Sequence, residues 1–145
     1  MTSFDIRLIA HRSPAYEETV ALRDDILRKP LGLSFTPEQL GAEGGDYHLA
    51  CYLDGALAGC LILTPVDDVA LKMRQVAVAE EMQGRGVGRA LVERSEEMAR
   101  EKGFREIVLN ARETAVPFYD RLRYERVGDR FEEVGIPHWK MRKSI

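Results

Sequence analysis

A glycine-rich segment between an apolar strand pattern and a long amphipathic helix constrains this chain more than any other feature. Residues 83–89 read Gln-Gly-Arg-Gly-Val-Gly-Arg and follow an apolar Val-Ala-Val run at 76–78. From Val87 onward, apolar residues recur at helical spacing until Gly103. Glycines here cost stability, but they permit positive φ and allow a bulky group to reach the backbone. The segment therefore predicts a strand–loop–helix unit built around a ligand.

The chemistry of this loop indicates an anion site. The first N–H groups of a helix have no intrahelical partner, and the helix dipole adds about half a positive charge at that end. Arg85 and Arg89 add mobile positive charge, although the formal net charge of the whole chain is −3. A diphosphate fits such a site. A glycine-rich turn without a ligand is the alternative interpretation.

Two common nucleotide-binding motifs do not match the loop. A P-loop requires Lys and then Ser or Thr after its last glycine, whereas Arg89 and Ala90 follow Gly88. A dinucleotide fingerprint requires G-x-G-x-x-G, and either Arg89 or Leu91 occupies the third glycine position in the two frames. A nucleotide-binding protein is therefore disfavoured.

The strand before the loop, predicted over Val69–Val78, changes phase partway along. Its apolar side chains occupy odd positions from 69 to 73 and even positions from 76 to 78. A strand of period two keeps both sets on one face only if it contains an extra residue. We therefore expect a β-bulge near Arg74-Gln75, the alternative being a strand that is buried on both faces.

The rest of the chain predicts a mixed sheet covered by helices, an α/β (α+β) fold. Phe4, Ile6 and Leu8 alternate as a first strand. Ser13-Pro14 begins a helix that should stop near Lys29-Pro30. The further predictions are a loop with one helical turn over Leu31–Gly45, a hairpin of Tyr47–Leu53 and Ala56–Leu63 around Asp54-Gly55, a short strand at Ile107–Leu109, a helix over Thr114–Leu122 and two strands from Tyr124 to Lys143. The predicted order is β-α-(α)-β-β-β-α-β-α-β-β.

Length and composition limit the class of protein. At roughly 100–200 residues per domain, the 145 residues predict one domain, 1–145. A net charge of −3 gives no reason to expect nucleic acid as a partner. No apolar run approaches the roughly 20 residues of a membrane span, so we expect no membrane association. Cys51 and Cys60 lie in apolar stretches without a Cys/His cluster, which predicts buried thiols, no metal and a cytoplasmic location.

Two separated motifs together resemble a known family. Gln83-x-x-Gly86-x-Gly88 after the Val-Ala-Val strand resembles the acyl-CoA pyrophosphate motif of the GCN5-related N-acetyltransferase (GNAT) superfamily. Residues 109–112 (Leu-Asn-Ala-Arg) and 115–119 (Ala-Val-Pro-Phe-Tyr) resemble its second cofactor region. The ending Gly-Ile-Pro-His-x-x-Met at 135–141 is similar to a branch of small acetyltransferases whose substrates are mostly unassigned. The resemblance covers nearly the whole chain and implies the GNAT fold, with helices on both faces of the sheet and a bulged fourth strand.

The same resemblance implies a cosubstrate and a reaction. The chain would use acetyl-CoA, and an amine would attack the thioester directly in a ternary complex. The resemblance assigns the role of general acid to Tyr119, and the backbone N–H of Val76 is the expected oxyanion donor. The residues expected to bind the cofactor are Val76, Ala77, Val78, Gln83, Gly84, Arg85, Gly86, Val87, Gly88, Arg89, Asn110, Pro117, Phe118 and Tyr119.

The general base stays open at this stage. The strand over residues 69–78 contains no carboxylate. His138, Glu113 and Asp46 are candidates by chemistry alone, beside a water chain or an amine that arrives neutral. We expect His138 to lie on an edge strand as a structural residue.

The 3′-phosphate contact and the end of the last helix are also open. Arg85, Arg89 and Arg121 are candidates to contact the 3′-phosphate of coenzyme A, with solvated arginines on helix faces as the alternative. Arg123 occupies a position where the family often has glycine, so the preceding helix is expected to end differently.

The sequence does not identify the acceptor. A small-molecule amine and a peptide or protein amine are both compatible with it, and homodimers are common in the family. A non-catalytic module on the same fold, which senses acyl-CoA or binds a partner protein, is the alternative function. The missing carboxylate is the observation that supports this alternative.

Overall fold

Seven strands form one mixed sheet in the computed structural model, which describes residues 4–145. The strands are β1 (Asp5–Ile9), β2 (Tyr47–Leu53), β3 (Ala56–Pro65), β4 (Ala70–Val78), β5 (Glu106–Arg112), β6 (Glu125–Glu133) and β7 (Ile136–Ser144). Their order across the sheet is β1-β2-β3-β4-β5-β7-β6, and β4 and β5 form the parallel pair. The element order matches the prediction.

Helices pack on both faces of this sheet, as expected. They are α1 (Pro14–Arg23), α2 (Pro37–Gly41), α3 (Val87–Glu101) and α4 (Val116–Arg121). His48 of β2 contacts Tyr16 of α1, with ring centroids 5.1 Å apart. Gly59 of β3 lies beneath α3, and it pairs with Cys51 of β2. Because successive strand residues point to opposite faces, Cys51 and His48 lie on opposite faces of the sheet. Helix α3 therefore covers the face opposite to α1. No helix within residues 4–145 is long and apolar enough to span a membrane.

Local signals in the sequence correctly predicted several boundaries. Ser13 caps α1 by accepting a hydrogen bond of 3.2 Å from the N–H of Tyr16. Asp54 and Gly55 have φ values of 52° and 81°, the pair of positive values that a tight two-residue hairpin requires. Cys51 and Cys60 are buried free thiols. Burial raises the pKa of Cys51 to about 11.

The helical path that begins with α1 ends close to the predicted stop near Lys29-Pro30. Residues 24–28 continue the helix as a wider π-type turn, and residues 29–31 form a 3₁₀ turn. Lys29 itself stays helical (φ −54°, ψ −43°) although it precedes Pro30. Pro30 is tolerated because it lies in the first turn of a new segment, where its missing N–H costs no hydrogen bond. The helical path ends at Gly32, with φ of 69°.

The predicted bulge is present in β4. Cys60 of β3 pairs with Ala77, but Ile62 pairs with Arg74. One residue of β3 therefore faces two residues of β4, Gln75 and Val76. Gln75 adopts φ of 56°, a left-handed conformation that is uncommon for residues other than glycine.

A buried cluster of charged and polar side chains ties α1 to the turn after α2. The guanidinium of Arg23, with 1% of its side chain exposed, donates two hydrogen bonds of 2.9 Å to the carboxylate of Glu43. The Tyr16 hydroxyl donates to the same carboxylate at 2.6 Å. His48 Nε2 lies 2.9 Å from the carbonyl oxygen of Glu43. These contacts hold the segment between α1 and β2 against the sheet.

We expect this cluster to make the fold sensitive to acid. Burial would raise the pKa of Glu43, but the hydrogen bonds from Arg23 and Tyr16 outweigh it and lower that pKa. Burial lowers the pKa of His48. Both groups therefore bind protons more readily in the unfolded chain, and the free energy of unfolding should fall as the pH falls. The fall should begin below about 6.5, where unfolded histidine protonates, and steepen below about 4.5, where unfolded glutamate does.

Urea denaturation at a series of pH values measures this effect. A His48→Gln variant should lose the first part of the acid-dependent fall and keep the second. An identical loss of stability between about pH 7 and 5.5 in the two proteins would contradict the role of His48.

Candidate active site

A cleft opens where β4 and β5 separate. The parallel pairing of these strands ends at Met73 and Leu109, and a cleft of about 470 Å³ lies beyond that point. Its lining comes from the segment 26–33 after α1, residues 72–76 of β4, residues 109–112 of β5, Ala115 and Tyr119, and the end of the β6–β7 hairpin with His138. The bulge lies at the same place, so residues 74–78 of β4 have no partner strand on the side of β5 among residues 4–145.

The three strand residues predicted for the cofactor site have different environments. Val76 lines the cleft. Ala77 is 1% exposed and belongs to the buried core. Val78 approaches the start of α3, where its Cγ2 would lie 3.8 Å from a Cβ at Gly88. Ala77 can therefore offer a ligand only its backbone, whereas the side chain of Val78 is partly exposed.

The glycine-rich loop presents unused backbone donors. The N–H groups of residues 86–89 donate no hydrogen bond within residues 4–145. Gly84 and Gly86 have φ values of 78° and 85°, as predicted, and Gly86 caps α3. A Cβ at Gly88 would lie 3.3 Å from the ring of Phe118, so this glycine lets α3 approach α4 closely. Unpaired amides at a helix start have the geometry that suits an anion.

The polar side chains of the loop make contacts of their own. The Gln83 amide donates to the carbonyl oxygen of Val78 at 3.2 Å, which ties the loop to the end of β4. Arg89 forms an exposed ion pair of 2.7 Å with Glu93. Arg85 lies 3.3 Å from the sulfur of Met82. Both arginine side chains are exposed, and neither is held in place by buried contacts.

Tyr119 lies in the last turn of α4 and lines the cleft. Phe118 and Tyr124 pack edge-on against its ring, at centroid distances of 5.0 and 5.7 Å. Its hydroxyl makes no hydrogen bond within the described part of the chain, and burial raises its pKa to about 12, so the hydroxyl is protonated at neutral pH. Arg123 adopts φ of 72° and ends α4 in the left-handed conformation that glycine usually supplies.

His138 lies in the interior of the sheet, not on an edge strand as expected. Its strand, β7, runs between β5 and β6 because the hairpin returns toward β5. The ring Nδ1 lies 2.7 Å from the carbonyl oxygen of Ile136. A carbonyl only accepts hydrogen bonds, so this contact assigns the proton to Nδ1 and leaves Nε2 as an acceptor. Glu133 Oε2 lies 3.5 Å from Nε2, where it would stabilise the protonated ring.

The other base candidates are not in the cleft lining. Glu113 pairs with Arg130 at 3.1 Å, and Asp46 lies 3.8 Å from Arg74 with its side chain 7% exposed. Of the three groups considered, only His138 faces the cleft. Asn110, predicted from its motif, also lines the cleft, and its amide lies 3.5 Å from Glu133 Oε1.

Several residues of the cleft were not predicted from the sequence. They are Arg28, Lys72, Arg74, Gln75, Arg112 and Glu133. The side-chain oxygen of Gln75 is buried and accepts no hydrogen bond in the described structure. The change of phase in β4 was the available signal for Arg74 and Gln75, because a bulge redirects side chains. Nothing in the sequence marks Arg28 or Glu133, which reach the cleft through the tertiary fold.

Comparison with known proteins agrees with this fold. The model of the acetyltransferase (GNAT) domain family matches residues 33–145. The Bacillus subtilis (strain 168) protein described as "Uncharacterized N-acetyltransferase YitI" is 25% identical over 136 residues, which cover 89% of this chain and 91% of that protein. The structure of an acyl-CoA N-acyltransferase from Pseudomonas aeruginosa matches with a TM-score of 0.80 at 21% identity, over 99% of each chain. A GNAT family acetyltransferase from Elizabethkingia anophelis, solved with acetyl-CoA bound, matches with a TM-score of 0.75 at 16% identity, over 98% of each chain.

A mixed sheet that opens at a bulge beside a helix with free N-terminal amides defines an acetyltransferase fold of the GNAT type. The chain belongs to the GNAT acetyltransferase family.

Proposed function

We propose that residues 1–145 form a single N-acetyltransferase domain that transfers an acetyl group from acetyl-CoA to an amine. The observation that carries this proposal is the alignment of three features along β4. The free amides of residues 86–89 suit the diphosphate, the unpaired edge of residues 74–78 suits the amides of the pantetheine arm, and the cleft suits the thioester. The relative solved with acetyl-CoA bound supports the choice of ligand.

The predicted cofactor residues divide into three groups in this proposal. Gly84, Arg85, Gly86, Val87, Gly88 and Arg89 would bind the diphosphate, while Val76, Ala77, Val78, Asn110 and Tyr119 would line the path of the arm and the thioester. Gln83, Pro117 and Phe118 would support the site, since Gln83 ties the loop to β4, Pro117 lies in the first turn of α4 and Phe118 packs under Gly88. The free thiols of Cys51 and Cys60 fit a reducing, cytoplasmic location.

In the proposed reaction, a neutral amine attacks the carbonyl carbon of the thioester. A C–N bond forms and negative charge develops on the carbonyl oxygen, which the backbone N–H of Val76 would stabilise. The C–S bond then breaks, coenzyme A leaves as a thiolate, and the hydroxyl of Tyr119 supplies a proton to the sulfur. The attacking nitrogen gives up one proton to solvent and the Tyr119 oxygen regains one from solvent, so the products are an amide and free coenzyme A with the enzyme restored. Holding both reactants in line supplies much of the acceleration.

His138 is our proposed general base. An amine that arrives as an ammonium ion must lose a proton before it can attack. Nε2 of His138 is an acceptor by virtue of the Nδ1 contact with Ile136, and Glu133 would stabilise the imidazolium that results. The absence of a carboxylate in β4 therefore does not require a non-catalytic module.

A His138→Gln variant should show a kcat roughly 100-fold lower, with a KM for acetyl-CoA within about threefold of wild type. Steady-state kinetics measure both parameters. A kcat within about threefold of wild type would exclude His138 as the base.

Release of free thiol from acetyl-CoA in the presence of a panel of amines tests the function itself. Mass spectrometry of the amine should show an added acetyl group. Tight binding of acetyl-CoA without any thiol release would favour the alternative function, a non-catalytic module that senses acyl-CoA. Thermal stabilisation by ATP or NAD, but not by acetyl-CoA, would contradict the proposal.

A further inference from the structure

The cleft carries an excess of positive charge that the proposed reaction does not use. Arg28, Lys72, Arg74 and Arg112 line it, against one carboxylate, Glu133. The whole chain has a formal net charge of −3, so this local excess is not a property of the composition. Like charges brought together in a cleft repel one another, and the arrangement is stabilised when an anion enters.

Most of these cations have no carboxylate partner. Within residues 4–145, Arg28, Lys72 and Arg112 form no ion pair, and Arg74 lies 3.8 Å from Asp46. The guanidinium of Arg28 instead stacks over the ring of Phe35, at 4.5 Å from its centroid. Glu133 is already 3.5 Å from both His138 and Asn110. The cleft therefore offers unneutralised positive groups to whatever occupies it.

The diphosphate of coenzyme A does not account for this charge. None of residues 83–89 lines the cleft, so the proposed diphosphate site lies elsewhere along β4. The four cations surround the other end of the strand opening, near Tyr119 and His138, where the acceptor must approach the thioester.

We propose that the acceptor is a small-molecule amine that carries an anionic group, a carboxylate or a phosphate. This inference rests on the proposed acetyl transfer and names the acceptor class of the same site. Arginine forks bind either group through paired hydrogen bonds. The segment after α1 that carries Arg28 also contributes the apolar side chains of Ile26, Leu27, Leu31 and Leu33, which suits a short apolar stretch between the amine and the anion. A cleft of about 470 Å³ that also receives the thioester favours a small molecule.

Matched pairs of amines test the proposal through thiol release. Lysine against cadaverine examines the carboxylate, and O-phosphoethanolamine against ethanolamine examines the phosphate. In at least one pair, kcat/KM for the amine that carries the carboxylate or phosphate should exceed that of its partner without the anionic group by about tenfold or more. The pair that shows the larger ratio identifies which anion the cleft prefers.

An Arg112→Gln variant links the preference to the cleft. It should raise the KM for the amine with the anionic group about tenfold and leave the KM for acetyl-CoA and for the amine without that group within about twofold. Arg94→Gln, an exposed arginine on α3, is the matched control and should change none of these values.

Two results would overturn the inference while acetyl transfer itself stands. One is equal or better turnover of the amine without the anionic group in both pairs, and the other is an equal effect of Arg112→Gln on amines with and without that group. Absence of thiol release with every amine would overturn the inference together with the proposed function.

Discussion

A Gly86→Glu variant is expected to bind coenzyme A at least about 100-fold more weakly than the wild-type chain, a loss of about 3 kcal/mol. Gly86 caps α3 with φ of 85°, and the N–H groups that follow it have no partner within residues 4–145. A carboxylate at this position would face the diphosphate at the site where the helix start otherwise attracts it. Calorimetric titration of each variant with coenzyme A measures the effect.

Gly86→Gln separates the charge from the change of backbone and size. Both substitutions place an L residue in the left-handed region, at a cost of roughly 1–2 kcal/mol in stability. Space is available, because the nearest atom to an added Cβ is 4.0 Å away. The glutamine variant should therefore lose about tenfold or less in affinity. Equal affinities of the two variants would show that the anion site has been misplaced.

Tyr119→Phe is expected to lower kcat by about 100-fold or more and to leave the KM for acetyl-CoA within about threefold. The hydroxyl lines the cleft, makes no hydrogen bond within the described chain, and has a pKa raised to about 12 by burial. The hydroxyl is thus protonated at neutral pH. Its removal takes away a proton donor without leaving a buried hydrogen-bond partner unsatisfied. Steady-state kinetics with saturating acceptor check the prediction.

Tyr52→Phe provides the control for Tyr119→Phe. Tyr52 is also a buried tyrosine, but it lies on β2, and its hydroxyl is 3.5 Å from Glu18. This variant should retain wild-type kcat. A Tyr119→Phe variant with unchanged turnover, or with affinity reduced as much as turnover, would refute the role of general acid.

Local rules were sufficient for the features that depend on a few neighbouring residues. The phase change in β4 predicted the bulge at Gln75 because side-chain alternation is fixed by strand geometry. Asp54-Gly55 predicted the hairpin because both residues must adopt positive φ. The glycines before α3 predicted exposed amides for a similar reason. The bulge and these glycines are the features on which the proposed cofactor site depends.

Features that depend on tertiary contacts could not be predicted in the same way. The position of β7 between β5 and β6 makes His138 an interior residue, and only the path of the final hairpin determines this. Arg28 reaches the cleft because residues 24–28 continue α1 as a π-type turn, which a 3₁₀ turn at residues 29–31 follows. The buried Arg23–Glu43 pair joins positions 20 residues apart that show no pattern in the sequence.

Binding of coenzyme A to the purified protein tests the central claim most directly. Calorimetry should show saturable heat for a single site, with a Kd between about 1 μM and 1 mM. No heat of binding for either acetyl-CoA or coenzyme A at millimolar concentration would contradict the account.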